Sequence, residues 1–289
     1  MTMPIFNRQR GFTLVELIMV IVLMGVIGGI VSVFMKSPID AYFASARRAA
    51  LTDVADTTVR RMARDLRKAL PNSINTSGDN KCIEFIPTKT GGRYRAEEII
   101  PGDGTSLTFG VAKSTFNMFG RNNDLPVNQR IVAQPGEYDV IAVSNFGFDV
   151  GDAYAGNNTA VVSTVGNGTE TAVTIATTTF HIALASPNYR FQVIPANEKV
   201  VAYVCSGSNL HRIAQAALAH ICPPGAGSVA AAVIAAAPIL ASNINFGACN
   251  FNYAGSDLQR NALINMRIQL TDGGETVSLQ HEVHVNNTP

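Results

Sequence analysis

An unbroken apolar run near the N-terminus constrains this chain more than any other feature. Phe12 to Met35 reads FTLVELIMVIVLMGVIGGIVSVFM, and Glu16 is its one ionisable side chain. As a helix the run rises about 36 Å, more than the ~30 Å hydrocarbon core of a bilayer. Residues 1–11 carry Arg8 and Arg10 and no acid. Basic residues before a span, with a long polar chain after it, place the N-terminus in the cytoplasm and the remainder outside the inner membrane. Three plainer readings compete. A secretory signal has an apolar stretch of only about 7–15 residues, although Ala44-Ser45-Ala46 would supply a small-residue cleavage site. A soluble core helix is rarely this long and this apolar. A simple single-pass anchor explains the length but not Glu16, because a carboxylate in such a helix costs about 2.5–3.5 kcal/mol on insertion scales.

The segment Gly11-Phe12-Thr13-Leu14-Val15-Glu16 resembles the cleavage and methylation signature of type IV prepilins and type II secretion pseudopilins. The resemblance implies that prepilin peptidase cuts between Gly11 and Phe12 and methylates the new amine of Phe12. Gly11 lacks a Cβ, so its backbone lies close in a protease groove. Glu16 then acquires a partner. Within one helix the Phe12 amine lies about one turn away. In a filament, the Phe12 ammonium of a staggered neighbour would neutralise Glu16 and set the register, as buried ionic groups do elsewhere. The family resemblance favours the second arrangement. Gly25 and Gly29 form a G-x-x-x-G face suited to close helix packing; ordinary tolerance of glycine in bilayer helices is the alternative.

Past Lys36-Ser37-Pro38 the apolar residues recur at three- and four-residue spacing, through Tyr42, Ala46, Ala49, Leu51, Val54, Ala55, Val59, Met62 and Leu66 to Leu70. One helix over residues 12–70, about 88 Å long, is expected, with a kink or weak point at Pro38. The organisation read from the sequence is a leader at 1–11, a transmembrane and assembly helix at 12–35, an amphipathic continuation at 36–70 and a β-rich periplasmic head at 71–289. The continuation is basic, with eight Lys and Arg against four Asp. A solvated face meeting other subunits explains this better than nucleic acid, since no aromatic platform interleaves with the arginines.

After residue 71 short β-branched and aromatic runs alternate with Gly, Asn and Pro, so the fold class is α+β: a spine helix on an antiparallel β-rich head. Strands are expected at Cys82–Ile86, Ser106–Phe109, Tyr138–Val143 and 171–184. Arg190–Ile194 and Lys199–Cys205 read as a strand pair around Pro195-Ala196-Asn197. A hairpin is expected around Thr271-Asp272-Gly273-Gly274. The alanine-rich stretches 214–219 and 228–241 read as short helices or a loosely ordered insertion. Cys82, Cys205, Cys222 and Cys249 match no C-x-x-C pattern. Four cysteines beyond a membrane span fit disulfides in an oxidising compartment, with three pairings open; buried free thiols are the alternative.

The runs Arg190-Phe191-Gln192-Val193 and Val200 to Cys205, with the ending Val277 to Pro289, resemble the heads of minor pilins of the MshO type from biogenesis of the MSHA (mannose-sensitive haemagglutinin) pilus. That resemblance implies a minor structural subunit that initiates or caps a pilus. The expected partners are prepilin peptidase, other major and minor pilins and the inner-membrane pilus assembly platform, with no nucleic acid. A type II secretion pseudopilin and a membrane-anchored periplasmic binding module are the alternatives.

No catalytic signature emerges: there is no G-x-S-x-G, H-E-x-x-H or P-loop, and the expectation is a non-enzyme without cofactor or metal. His281 and His284 are three apart, so in a strand they point to opposite faces and cannot share an ion. Asp103, Asp149 and Asp152 sit in Gly-rich loops without EF-hand spacing. Asn157 and Asn167 begin N-x-T triplets, which matter only in eukaryotic secretion.

Overall fold

A computed structural model describes residues 11–181, 186, 188–223, 225, 229–254 and 261–287. Two compact units are present, residues 1–50 and 51–289, so the boundary falls inside the long helix. The leader positions before Gly11, the end of the expected strand 171–184 and the last two residues of the chain lie outside the described residues.

Helix α1 runs from Leu14 to Leu66 and passes through Pro38 without a break. It ends four residues earlier than its periodicity predicts. The N–H groups of Lys68 and Ala69 reach back three residues, to Asp65 and Leu66, and the Leu70 N–H turns to Ile86. Pro71 enforces the exit, because the residue before a proline is driven out of the helical region. Asn72 follows with φ 57°, and its amide nitrogen donates to the carbonyls of Asn145 and Asn287. The close approach is tight: a Cβ on Gly147 would lie 2.5 Å from the Asn72 carbonyl oxygen.

Among the described residues the head has sixteen short to medium strands. In chain order they are β1 Asn75–Thr76, β2 Cys82–Phe85, β3 Thr90–Arg93, β4 Ala112–Phe119, β5 Ala133–Gln134, β6 Glu137–Tyr138, β7 Val140–Ala142 and β8 Thr159–Val165. There follow β9 Glu170–Thr179, β10 Arg190–Ile194, β11 Val200–Ser206, β12 Asn209–Gln215, β13 Ile239–Ala241, β14 Asn250–Ala254, β15 Asn261–Asp272 and β16 Glu275–Asn286. A short helix, α2, covers Ala231–Ala235 inside the alanine-rich stretch.

These strands form a five-stranded sheet β1-β2-β11-β12-β13, a six-stranded sheet β3-β10-β7-β8-β9-β4, a three-stranded sheet β14-β15-β16 and the ribbon β5-β6. All the pairings are antiparallel. The six-stranded sheet closes on itself through the bridge Tyr94↔Met118, and Phe116, Phe180, Phe191, Val162 and Val173 fill its interior.

Strand β11 is central. Val201, Tyr203 and Cys205 point into one core, with the buried stripe of α1; Val200, Ala202 and Val204 point into the next. The stripe is Leu51, Ala55, Thr58, Val59, Met62, Ala63 and Leu66, the spacing of one helix face. It packs on the five- and three-stranded sheets together, against residues such as Phe85, Phe251, Met266 and Val283. Asp65 reinforces the contact: it accepts from the Tyr203 hydroxyl at 2.6 Å and from Arg212 Nε at 3.3 Å. Arg212 also forks onto Glu198.

Several sequence expectations fail; the expected strand Tyr138–Val143 is interrupted at Asp139, between β6 and β7. Ser106–Phe109 is not a strand: Leu107 is buried and its N–H bonds to the Arg95 carbonyl, while Gly102, Gly104 and Gly110 break the extended path with positive φ. The strand lies one step later, at β4. Nor are β10 and β11 a pair. β10 lies between β3 and β7, and β11 between β2 and β12. The Pro195-Ala196-Asn197 link carries the chain from one sheet to the other, held by the Ala196 N–H on Asp139. The hairpin expected around Gly273-Gly274 is present, with φ of 53° and 84°, as a two-residue turn of the favoured hand requires.

Candidate functional site

The N-terminal segment is positioned by the helix start. Thr13 precedes the first residue of α1 and its hydroxyl accepts the Glu16 N–H at 3.3 Å. Glu16 reaches back, and its Oε2 accepts the Thr13 N–H and the Thr13 hydroxyl, both at 3.2 Å. This is a capping box, in which two otherwise orphaned N–H groups are satisfied reciprocally, and an acid in the first turn also suits the helix dipole. Thr13 was missed in reading the sequence, although its T-x-x-E spacing is the signal that finds it. Glu16 thus has a local structural role besides any intersubunit one.

Gly11 and Phe12 precede the cap in exposed chain outside any helix or strand; Phe12 is 87% exposed. Residues 14–35 carry an exposed apolar surface on every face of the helix. The span is long and apolar enough to cross a membrane, and none of its apolar window is buried. Gly25 and Gly29 face open space: a Cβ on either would have no neighbour within 4 Å. Ser32 donates to the Gly29 carbonyl at 2.9 Å. Pro38 lies inside the helix.

In the head, the four cysteines form Cys82–Cys222 and Cys205–Cys249, with Cα–Cα distances of 6.2 and 6.6 Å. The first bridge stands beside a buried polar cluster that the sequence did not reveal. Glu84 on β2 is 0% exposed. It accepts the N–H groups of Ile221 and Cys222 at 2.7 and 2.8 Å, and faces His220 Nδ1 at 2.5 Å. Tyr154 stacks on His220 at 4.0 Å. Burial pushes the Glu84 carboxyl above its ordinary value, outweighing the N–H groups and His220. Both oxygens of this carboxylate are committed, so the cluster pins the 220–222 loop to the sheet.

The metal candidates resolve similarly. His281 is half-buried and His284 exposed. Asp103 spends its carboxylate on the backbone of Thr105, Ile100 and Ile99 and on the Thr105 hydroxyl, which holds it down at about 2. Asp152 accepts the Tyr154 N–H. Among the described residues no group of three or more His, Cys, Asp or Glu is placed to hold an ion.

A family model, the prokaryotic N-terminal methylation motif, matches residues 6–32. No curated protein and no solved structure matches the chain. The motif indicates a type IV pilin-like or pseudopilin chain. Such proteins are structural subunits, processed by prepilin peptidase and assembled with other pilins.

Proposed function

We propose that this chain is a minor subunit of an MSHA-type pilus that helps to initiate or cap the fibre. In this reading prepilin peptidase removes residues 1–11 on the cytoplasmic side, methylates Phe12 and leaves the head in the periplasm. Withdrawal from the membrane then packs the apolar helix, with its Gly25 and Gly29 face, among the helices of other pilins. The observation that carries the reading is the methylation motif at the head of an apolar helix exposed on all sides. Such a surface needs lipid or other helices around it. The MSHA assignment rests on the likeness of residues 190–205 and 277–289 to that group.

Glu16 holds its capping position in the single chain. In the fibre it would exchange that neutral partner for the Phe12 ammonium of the next subunit, a charge-assisted bond in a low-dielectric setting. Mass spectrometry of the protein from its native membranes tests the processing. Loss of residues 1–11 with one methyl on the Phe12 amine is the expected result. A mature protein that still begins at Met1 would rule out assembly and leave a membrane-anchored module. Deleting the gene tests the initiating role: surface fibres should become scarce, and normal fibre numbers would remove that role.

A further inference from the structure

The three-stranded sheet ends on β16, which is twelve residues long and pairs with β15 from Asn261↔Asn286 to Asp272↔Glu275 without a register shift. Closure by a two-residue turn makes Asp272 and Glu275 a hydrogen-bonded pair, and such pairs then alternate along the ladder. Odd-numbered residues of β16 therefore bond to β15. The N–H and C=O groups of Thr276, Ser278, Gln280, Glu282 and His284 point the other way. The phase agrees with the far side of β15, where the Thr271 N–H and the Gln269 carbonyl bond outward to Asn243 and Asn245. Among the described residues no strand pairs with the outer edge of β16. The usual edge defences of lysine, proline or a bulge are missing from Thr276–His284.

Beside this edge lies a groove of about 590 Å³ between β16 and the flank of α1. Val59 and Ala63 are its apolar part, and Arg60, Arg64, Arg67 and His281 line it. Arg60 is neutralised by Asp56 at 2.7 Å. Arg64 and Arg67 have no acidic partner among the described residues. The groove is thus cationic, on the side of the sheet toward which alternate side chains of an added strand would point.

We propose that the β16 edge is a strand-addition site for an extended polypeptide segment with acidic side chains at alternate positions. The segment would lie ~4.8 Å from β16 and complete its open ladder. Its acids would enter the groove against Arg64 and Arg67, and its other side chains would line up with Ser278, Gln280 and Glu282 on the exposed face. A second copy of β16 fits poorly. Its groove-side residues Val277, Leu279, His281 and Val283 include no acid, and it would bring a second set of arginines to the same place. The site belongs to the head and does not depend on removal of the leader.

The test uses the full-length chain in detergent micelles and two capped, fluorescein-labelled ten-residue peptides, (Thr-Glu)5 and (Thr-Lys)5. Anisotropy should show (Thr-Glu)5 binding at least tenfold more tightly. Hydrogen exchange should show the Ser278, Gln280 and Glu282 amides slowed by the bound peptide. Arg64→Glu with Arg67→Glu should weaken binding tenfold or more. Gln280→Pro, which deletes an outward N–H and no ladder bond to β15, should abolish it with circular dichroism unchanged. Should that variant misfold, (Thr-Glu)5 N-methylated at alternate amides takes its place on the wild-type chain and should not bind. Equal binding of the two peptides overturns the proposal. So does unimpaired binding by Gln280→Pro or by the N-methylated peptide, tighter binding of a ten-nucleotide single strand at the same residues, or self-association of the chain through β16.

Discussion

Glu16 closes a helix cap in the single chain and would pair with a charge in the proposed fibre, and the two roles are separable. Its carboxylate closes the capping box with Thr13. Glutamine serves at that position nearly as well, whereas valine does not. Glu16→Gln should therefore preserve the helix start while removing the charge that a neighbour's Phe12 ammonium would seek. Fibre incorporation, scored by immunoblot of sheared pili, should fall for both Glu16→Gln and Glu16→Val, with membrane insertion intact. Incorporation of Glu16→Gln at the wild-type level would reduce Glu16 to a helix cap. Glu84 poses the opposite case, a carboxylate whose burial disfavours its charged form. Its folded-state value is raised, so the folded chain holds the proton more tightly than the unfolded one. The stability this contributes is fully present below the ordinary carboxylate range of about 4 and is lost as pH climbs through the raised value. Glu84→Gln can still accept the Ile221 and Cys222 N–H groups and donate to His220, but it does not titrate. Urea midpoints between pH 4 and pH 7 should fall with pH more steeply in the wild type than in Glu84→Gln; parallel curves would show that the site is not coupled to folding.

At the scale of elements, α1 is the joint between two sheets, and Met62 is at its centre with 0% exposure. Met62→Ala should destabilise the head by about 2–5 kcal/mol, read by chemical denaturation, whereas exposed Arg61→Ala should change it by less than about 0.5 kcal/mol. Equal effects would mean that this stripe does not carry the helix–sheet contact. The stripe was legible in advance because three- and four-residue spacing is a local signal. So was the β15–β16 hairpin, since Gly273-Gly274 supplies both positive φ values a two-residue turn needs. The β10–β11 junction was not legible. Two β-branched runs separated by Pro-Ala-Asn look like a hairpin, and only the distant partners β2, β3, β7 and β12 show that they belong to different sheets. Closure of the six-stranded sheet at Tyr94↔Met118 has the same non-local origin. The N-terminal methylation motif was legible because its residues are consecutive in sequence. The Glu84 cluster draws its partners from 136 and more residues away, beyond any spacing rule.

For the whole molecule, the question is what keeps three sheets together when no single core spans them. One core joins α1 to the five- and three-stranded sheets, a second lies on the far face of the five-stranded sheet and a third fills the closed six-stranded sheet. The three-stranded sheet is covalently tied to the rest by Cys205–Cys249, between the end of β11 and the residue before β14. Lys81 clamps the same corner by donating from Nζ to the carbonyls of Phe246 and Cys249 at 2.9 and 2.5 Å. A disulfide of this kind contributes about 2–4 kcal/mol, chiefly by restricting the unfolded chain. That global effect alone would lower protection evenly across the head. The corner geometry adds a local one. With Cys205→Ala and Cys249→Ala together, β14, β15 and β16 remain attached to α1 by side-chain packing and to the neighbouring sheet by the Lys81 clamp and the few bonds of Ile244, Asn245 and Phe251. Hydrogen exchange of the double variant should therefore accelerate most in β14–β16 and least inside the closed six-stranded sheet, where Phe116, Phe191 and Val193 do not touch the bridge's core. Uniform acceleration in all three sheets would show that the head unfolds as one unit, and that the bridge acts only on the unfolded state.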